Sequence, residues 1–348
     1  MSVLSLADVY RARHRIEGRV CRTPLVESLP LTRRAGVPVY LKLETVQPTG
    51  SFKLRGATHA LAVVAERGGG RVVTASTGNH GRAVAHAARA LGIDAAVCMS
   101  SLVPRNKVDA VRALGAQVHI TGHSQDDAQR EANRLACEAG YVYVPPFDHP
   151  DVIAGQATLG LEIVEALPDV AHIVVPLSGG GLFAGVACAA KAISPSVHMT
   201  GVTMARGAAM HASLAAGKPV HVDELDTLAD SLGGGIGLDN RYTFAMTQTL
   251  LDDAVLLDEA SIARGIVHAW REERLVIEGA AAVGIAALLD GALRQQPSRG
   301  PIVLIVTGAN IDMDLHRRLI DAANDAPDDA SHGRVGNTES VTSPDLQP

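Results

Sequence analysis

The stretch RVVTASTGNHGRAVAHAARALGIDAAVCMS, residues 71–100, decides the fold class. Val72–Ala75 reads as a buried strand, and Asn79 is placed to cap the alanine-rich helix His80–Leu91. Gly92 supplies the left-handed stop, and Ala95–Met99 begins a second strand at once. A helix between two strands is the crossover of a parallel sheet, because parallel neighbours cannot be joined by a tight turn. Working outward, Pro104 suits the first turn of a helix running to Leu114. Gln117–Ile120 is a strand, Ser124–Ala139 a helix and Tyr141–Val144 a strand. Arg71–Asp148 is therefore a strand-helix repeat with short connections.

The flanks continue the pattern. Ser5–Asp8 carries a capping box, opening a helix that runs to about Glu17 and ends at Gly18. Val37–Leu43 reads as a strand leading into a helix from Lys53 to Glu66, stopped at Gly68–Gly70. After a helix over Asp151–Glu165 come the buried strand His172–Pro176, a glycine loop, the helix Leu182–Ala192 and the strand His198–Val202. Leu225–Asn240, with Gly233, Gly234, Gly235 and Gly237, reads as a structured loop. Helices near Tyr242–Leu251 and Asp258–Glu273 flank the strand Val255–Leu257, and another helix fills Gly279–Leu289. Ile302–Val306 is an uninterrupted apolar run, the mark of a strand covered on both faces. The fold class is α/β with two parallel-sheet domains. The small one spans 71–148, the large one 1–70 and 149–323, and the polar stretch 324–348 is expected to be a disordered tail.

The chain has 348 residues, of which 47% are hydrophobic and 34 are glycine, enough for a large core. A net charge of −6 gives no basic footprint for nucleic acid. Cys21, Cys98, Cys137 and Cys188 are far apart and form no CxxC pair, so buried free thiols in a reducing compartment are expected. The N-terminus lacks the features of a secretory signal, and no apolar run reaches membrane-spanning length. A cytoplasmic protein is the expectation.

Four segments at or beside strand-helix junctions carry chemistry-bearing residues, where α/β sheets place their ligands. In Pro48–Gly56, Lys53 sits between Phe52 and Leu54. If those neighbours are buried, lost solvation favours the neutral amine, the form that attacks a carbonyl. Taken alone, Lys53 reads better as a surface lysine at a helix start with Ser51 as N-cap. Ser76-Thr77-Gly78-Asn79-His80-Gly81 gathers hydroxyls and backbone N–H groups at a helix N-terminus, which suits a carboxylate but also an ordinary cap. Ser178-Gly179-Gly180-Gly181-Leu182 can enclose a phosphate, or be a tight turn. It matches neither GxGxxG nor the Walker loop, which discounts dinucleotides and nucleoside triphosphates. Thr307-Gly308-Ala309-Asn310 ends the last core strand with a hydroxyl that can face a ligand, or with a turn and cap.

Together, and in this order, these motifs resemble the fold-type II pyridoxal-phosphate family of serine/threonine dehydratases and serine racemases, over about Val20–Asp314. Within it, Thr227–Phe244 and Val103–Ala110 resemble the hydroxyectoine-utilisation dehydratase subgroup. The resemblance implies pyridoxal 5'-phosphate between two α/β domains, with Lys53 as its covalent anchor and proton-transfer base. It places Phe52 against the ring, Asn79 on the ring hydroxyl, Ser178 to Leu182 around the phosphate and Thr307 at the pyridine nitrogen. Ser76, Thr77 and His80 would take the substrate carboxylate, and Glu278 would lie near the ring. A homodimer is implied by the same resemblance.

Departures from the family pattern sharpen the expectation. Ser178 stands where a glycine is usual, and Ala309 puts a methyl where the usual motif has glycine. Thr203 and Ala209 are poor ligands at the position of a divalent-cation site in racemase-like members, so no metal is expected. The implied reaction is dehydrating deamination of a β-hydroxy amino acid: threonine or serine by family default, 3-hydroxy-2,4-diaminobutyrate by subgroup, with Asp230 or Asp239 available to its second ammonium. Two rivals share the motifs: an amino-acid racemase, and a non-catalytic pyridoxal-phosphate-binding sensor.

Overall fold

The computed structural model describes residues 4–76, 78–103, 105–293 and 300–325. Thr77, Pro104 and the tail from 326 onward lie outside the described residues. The helices are α1 (Leu6–Ile16), α2 (Leu29–Ala35), α3 (Lys53–Glu66), α4 (Asn79–Leu91), α5 (Arg105–Ala113), α6 (Gln125–Glu138) and α7 (Pro150–Ala166). They continue with α8 (Gly181–Ile193), α9 (Ala209–Ala216), α10 (Thr243–Leu250), α11 (Glu259–Arg271), α12 (Gly279–Leu289) and α13 (Met313–Asp325). The strands are β1 (Leu25–Glu27), β2 (Val39–Leu43), β3 (Arg71–Ala75), β4 (Asp94–Met99), β5 (Gln117–Ile120) and β6 (Val142–Tyr143). The last four are β7 (His172–Pro176), β8 (His198–Met204), β9 (Asp253–Leu257) and β10 (Ile302–Val306).

These strands form two sheets, one of six strands in the order β1-β2-β10-β7-β8-β9 and one of four in the order β5-β4-β3-β6. Every pairing is parallel except that of β1 with β2. That antiparallel edge strand departs from the expected all-parallel layers. Alternate residues of the central strands feed opposite faces of the large sheet. Val174, Leu304 and Val306 pack with α12, while Ile173, Val175, Val303 and Ile305 pack with α7 and α8. Helix α12, Gly-Ala-Ala-Ala-Val-Gly-Ile-Ala-Ala-Leu-Leu, is apolar all round because it lies between the sheet and α11. In the small sheet, Val72, Val97 and Met99 face α3, α4 and α5, and Val73, Ala96 and Cys98 face α6.

A buried charge quartet joins the start of α3 to its neighbours. Arg55 Nε donates to Glu44 Oε2 at 2.8 Å and its Nη1 to Glu162 Oε1 at 2.7 Å, while Lys42 Nζ donates to Glu162 Oε2 at 2.6 Å. Burial works against the Glu44 charge, but Arg55 beside it and the Thr23 hydroxyl hold its carboxyl below the ordinary range.

Several expectations require correction. Asn79 is the first residue of α4 and its side chain does not cap it; Gly78 occupies the cap position. Likewise Ser51 is not the cap of α3: Phe52 holds that position, and the Ser51 hydroxyl is buried without a partner. Asn324 and Asp325, assigned to the tail, belong to α13, which His316 and Ile320 anchor in the interior. The four cysteines are free, as expected, but only Cys98 is fully buried, and Cys21 and Cys137 are exposed. No described helix is long and apolar enough to cross a membrane.

Candidate active site

The carboxyl ends of β7 and β10 in one sheet, and of β3, β4 and β6 in the other, open onto a cavity of about 1340 Å³. Its lining brings together Phe52, Lys53, Ser76, Asn79 and His80 with the Ser178–Leu182 loop, Glu278 and Thr307. Thr77 lies outside the described residues.

Lys53 opens α3 and is half-buried, with its Nζ donating to the Pro146 carbonyl at 2.8 Å and standing 5.3 Å from the Phe52 ring centre. Burial pulls its pKa down to about 8, against the opposing pull of Glu278. The segment before it is clamped to the end of β10: Phe52 N–H donates to Thr307 O at 3.0 Å, and Ser51 bridges to Gly308. Gly50 fits this clamp because its φ is +72°, and a Cβ there would stand 2.9 Å from Asn310 Oδ1.

On the opposite wall, the Ser76 hydroxyl accepts the Gly81 N–H at 3.2 Å, which shapes the N-terminus of α4. His80 is placed differently from expectation. Its Nε2 lies 3.1 Å from the Val144 carbonyl, which can only accept, so Nε2 carries the proton. Burial and the nearby Lys53 lower its pKa to about 3, and its Nδ1 is buried without a partner. A neutral ring whose one donor is spent on Val144 offers no N–H to a carboxylate. Any grip on a carboxylate at this wall falls to the Ser76 hydroxyl and the backbone N–H groups that open α4.

The loop Ser178–Leu182 turns from β7 into α8 through Gly180 at φ +85°. A Cβ at Gly179 would sit 2.4 Å from Phe147 Cδ1, so the Phe147 ring and the loop can touch only through glycine. Thr307, at the end of β10, keeps its Oγ1 buried without a partner. Glu278, the N-cap residue of α12, is buried, and that burial raises its pKa to about 7 despite the Asn79 hydrogen bond, with Asp230 adding to the rise. Asn79 donates to its two oxygens at 2.8 and 3.1 Å.

The mouth is formed by the loop before α10. Asp230 there pairs with Lys107 of α5 at 3.5 Å, whereas Asp239 lines the opening. The loop's far end is held by Asp148, whose carboxylate accepts the N–H groups of Arg241, Tyr242 and Thr243 at 2.7, 2.9 and 2.9 Å. Sequence reading missed Asp148, Phe147, Arg82 and Asn310. Asn310 stood in a motif already singled out, but Asp148 had no local signal, because its partners lie 93 to 95 residues away. Thr203 Oγ1 is buried against Met204 Sδ, and no described group of His, Cys, Asp and Glu could hold a metal ion.

A buried hydroxyl lacking a partner, a left-handed glycine turn at a helix start and an amine lowered to about 8 fit a pyridine nitrogen, a phosphate and an aldehyde. Comparison with known proteins gives the same class. The model of the family described as pyridoxal-phosphate dependent enzyme matches residues 16–308. A Sinorhizobium fredii protein provisionally named threonine dehydratase is 57% identical over 321 residues, 92% of this chain and 96% of the relative. The L-threonine ammonia-lyase of Thermotoga maritima is 39% identical, over 91% of this chain and 78% of the relative. Among solved structures, maize serine racemase aligns with a TM-score of 0.85 at 31% identity, over 92% of this chain and 98% of that one. Threonine deaminase isoform 2 of Solanum lycopersicum aligns at 0.82 and 35% identity, over 91% and 92%. The chain belongs to the family of pyridoxal-phosphate dependent enzymes, with the fold-type II architecture and pyridoxal 5'-phosphate as cofactor.

Proposed function

We propose that the chain is a dehydratase, an ammonia-lyase that removes water and then ammonia from a β-hydroxy amino acid of the threonine/serine type. The observation that carries this is Lys53, a half-buried amine with its pKa lowered to about 8 in a cavity shared with the glycine loop and the Thr307 hydroxyl. The threonine dehydratase and ammonia-lyase relatives support it.

When bound, the cofactor supplies an aldehyde for the lysine and an electron-accepting ring that eases loss of the substrate's Cα proton. In this reading Lys53 would anchor it and, as the freed amine, would take that proton. Phe52 would lie along the ring, and the N–H groups and hydroxyl of Ser178, Gly179, Gly180, Gly181 and Leu182 would hold the phosphate. Asn79 would meet the ring hydroxyl and Thr307 the pyridine nitrogen. Thr307 is a neutral hydroxyl and would not hold a proton on that nitrogen as a carboxylate does, an arrangement that would favour departure of the β-hydroxyl. Ser76 and the start of α4 orient the carboxylate, with Thr77 beside them in sequence. In the same reading 71–148 is the small α/β domain, and 1–70 with 149–323 is the large cofactor-binding one.

For the substrate, the finer reading is 3-hydroxy-2,4-diaminobutyrate, formed in hydroxyectoine breakdown. Asp223, Glu224 and Asp239 in the cavity lining suit its second ammonium, and Asp230, already paired with Lys107, suits it less. Turnover of L-threonine, L-serine and the diamino acid by cofactor-loaded protein, followed through ammonia and the carbonyl product, tests both levels. Preference for the diamino acid that weakens in Asp239→Asn is expected. An unchanged ratio removes Asp239 from the account, and no ammonia from any of the three sinks the dehydratase. Lys53→Ala should lose turnover by at least about a thousandfold while its thermal midpoint stays near that of the parent. Racemisation is the second reading, favoured by the likeness to maize serine racemase. Chiral analysis of recovered substrate separates it, since a racemase returns the opposite enantiomer.

A further inference from the structure

Arg82, Asn310, Asn79 and Glu278 form a continuous hydrogen-bonded line along the cavity wall. Arg82 Nη1 donates to Asn310 Oδ1 at 2.8 Å, and Asn310 Nδ2 donates to Asn79 Oδ1 at 2.6 Å. Asn79 Nδ2 then reaches both Glu278 oxygens. An asparagine amide is nearly the same shape when turned end for end, so its partners decide which end is oxygen. Here partners of a single polarity decide it. A guanidinium can only donate, so Asn310 must turn its oxygen to Arg82. The Thr49 carbonyl can only accept, so Asn310 must turn its nitrogen to Thr49, 3.0 Å away. The same nitrogen meets Asn79, which answers with its oxygen. The Asn79 nitrogen is then left facing Glu278 and the cavity.

We propose that Arg82 and Asn310 are positioning residues that lock the Asn79 amide with its N–H₂ toward the cofactor site. The inference rests on the reading of Asn79 as the partner of the cofactor's ring oxygen. Asn79 Nδ2 carries two N–H groups and meets one carboxylate, at 2.8 and 3.1 Å from its oxygens, so the proposal shares one N–H between those oxygens and gives the other to the ligand. Reversed, the amide would set its oxygen against the Glu278 carboxylate and against a ligand oxygen, acceptor to acceptor. Arg82 is half-buried in the cavity lining, so replacing it releases the lock without emptying a core.

The test compares cofactor-loaded Arg82→Met, Arg82→Lys, Asn310→Ala, Asn79→Ala and the double variant Arg82→Met/Asn79→Ala. The readouts are the visible absorption band of the bound cofactor and its dissociation constant. Arg82→Met and Asn310→Ala should move the band in the same sense as Asn79→Ala and weaken cofactor binding about tenfold, the worth of one hydrogen bond to a charged group. Arg82→Lys, which keeps a donor for Asn310, should stay near the parent. The double variant should match Asn79→Ala alone, because Arg82 acts only through Asn79. An unmoved band in Arg82→Met, beside a moved one in Asn79→Ala, overturns the inference. So does a raised substrate KM with an unmoved band, which would make Arg82 a direct substrate contact. An unmoved band in Asn79→Ala refutes the reading of Asn79 itself, and this inference falls with it. Asn310→Ala probes the same line from its middle should the Arg82 variant fold poorly.

Discussion

Lys53 has its pKa drawn by burial from lysine's ordinary range down to about 8. Only the neutral amine is nucleophilic, so labelling of Lys53 in cofactor-free protein by a small amine-reactive probe should rise about tenfold per pH unit up to about 8, then level. Exposed lysines in the same digest should keep rising past pH 10, and peptide mass spectrometry reads both. Glu278 moves the other way, raised by burial to about 7. Its folded pKa lies above the ordinary carboxylate value, so its contribution to stability is fully present below about pH 4.5 and is lost as pH climbs through 7. The amount is about 3 kcal/mol. Glu278→Gln should remove that part of the pH dependence, seen in denaturant titrations of the cofactor-free protein at pH 4.5 and 7.5. From sequence alone Lys53 stood out by its setting, whereas Glu278 entered only by resemblance. Its importance comes from a burial that no neighbouring residue announces.

At the scale of elements, the buried quartet of Lys42, Glu44, Arg55 and Glu162 fixes where α3 begins, and therefore where Lys53 points. Arg55→Met leaves two buried carboxylates facing each other with one cation fewer, and should cost about 3–5 kcal/mol in urea unfolding. Adding Glu44→Gln should recover part of that loss. Because Glu44 is held below its usual pKa, its contribution is present at neutral pH and disappears as pH falls beneath about 4.5. The long apolar or alternating segments were legible: β7, β10 and α12 follow from runs of Val, Ile, Leu and Ala. The short elements β1, α2 and α9 were not, having three to eight residues and no complete hydrophobic period. Asn79 misled for a physical reason. Its type and place match a helix cap, but a buried carboxylate and the Asn310 amide compete for the same side chain and win.

For the molecule as a whole, two sheets with their carboxyl edges around one cavity were readable, because glycine and hydroxyl motifs recur where apolar strands end. The antiparallel β1 and the contacts that cross the cavity were not, since they join residues far apart in the chain. Asp148 is the clearest example. It follows Pro146, which receives the Lys53 ammonium, and Phe147, which covers the glycine loop, in the segment running from β6 to α7. Asp148→Ala should speed amide hydrogen exchange at Arg241, Tyr242 and Thr243 by about tenfold or more, with β7 and β10 unchanged. The exit from the small sheet and the rim of the cavity thus share one pin. A ligand that settles the rim therefore pulls on the same carboxylate that closes the exit from the small sheet, and by thermodynamic reciprocity whatever steadiness the ligand lends that exit is returned as tighter holding of the ligand.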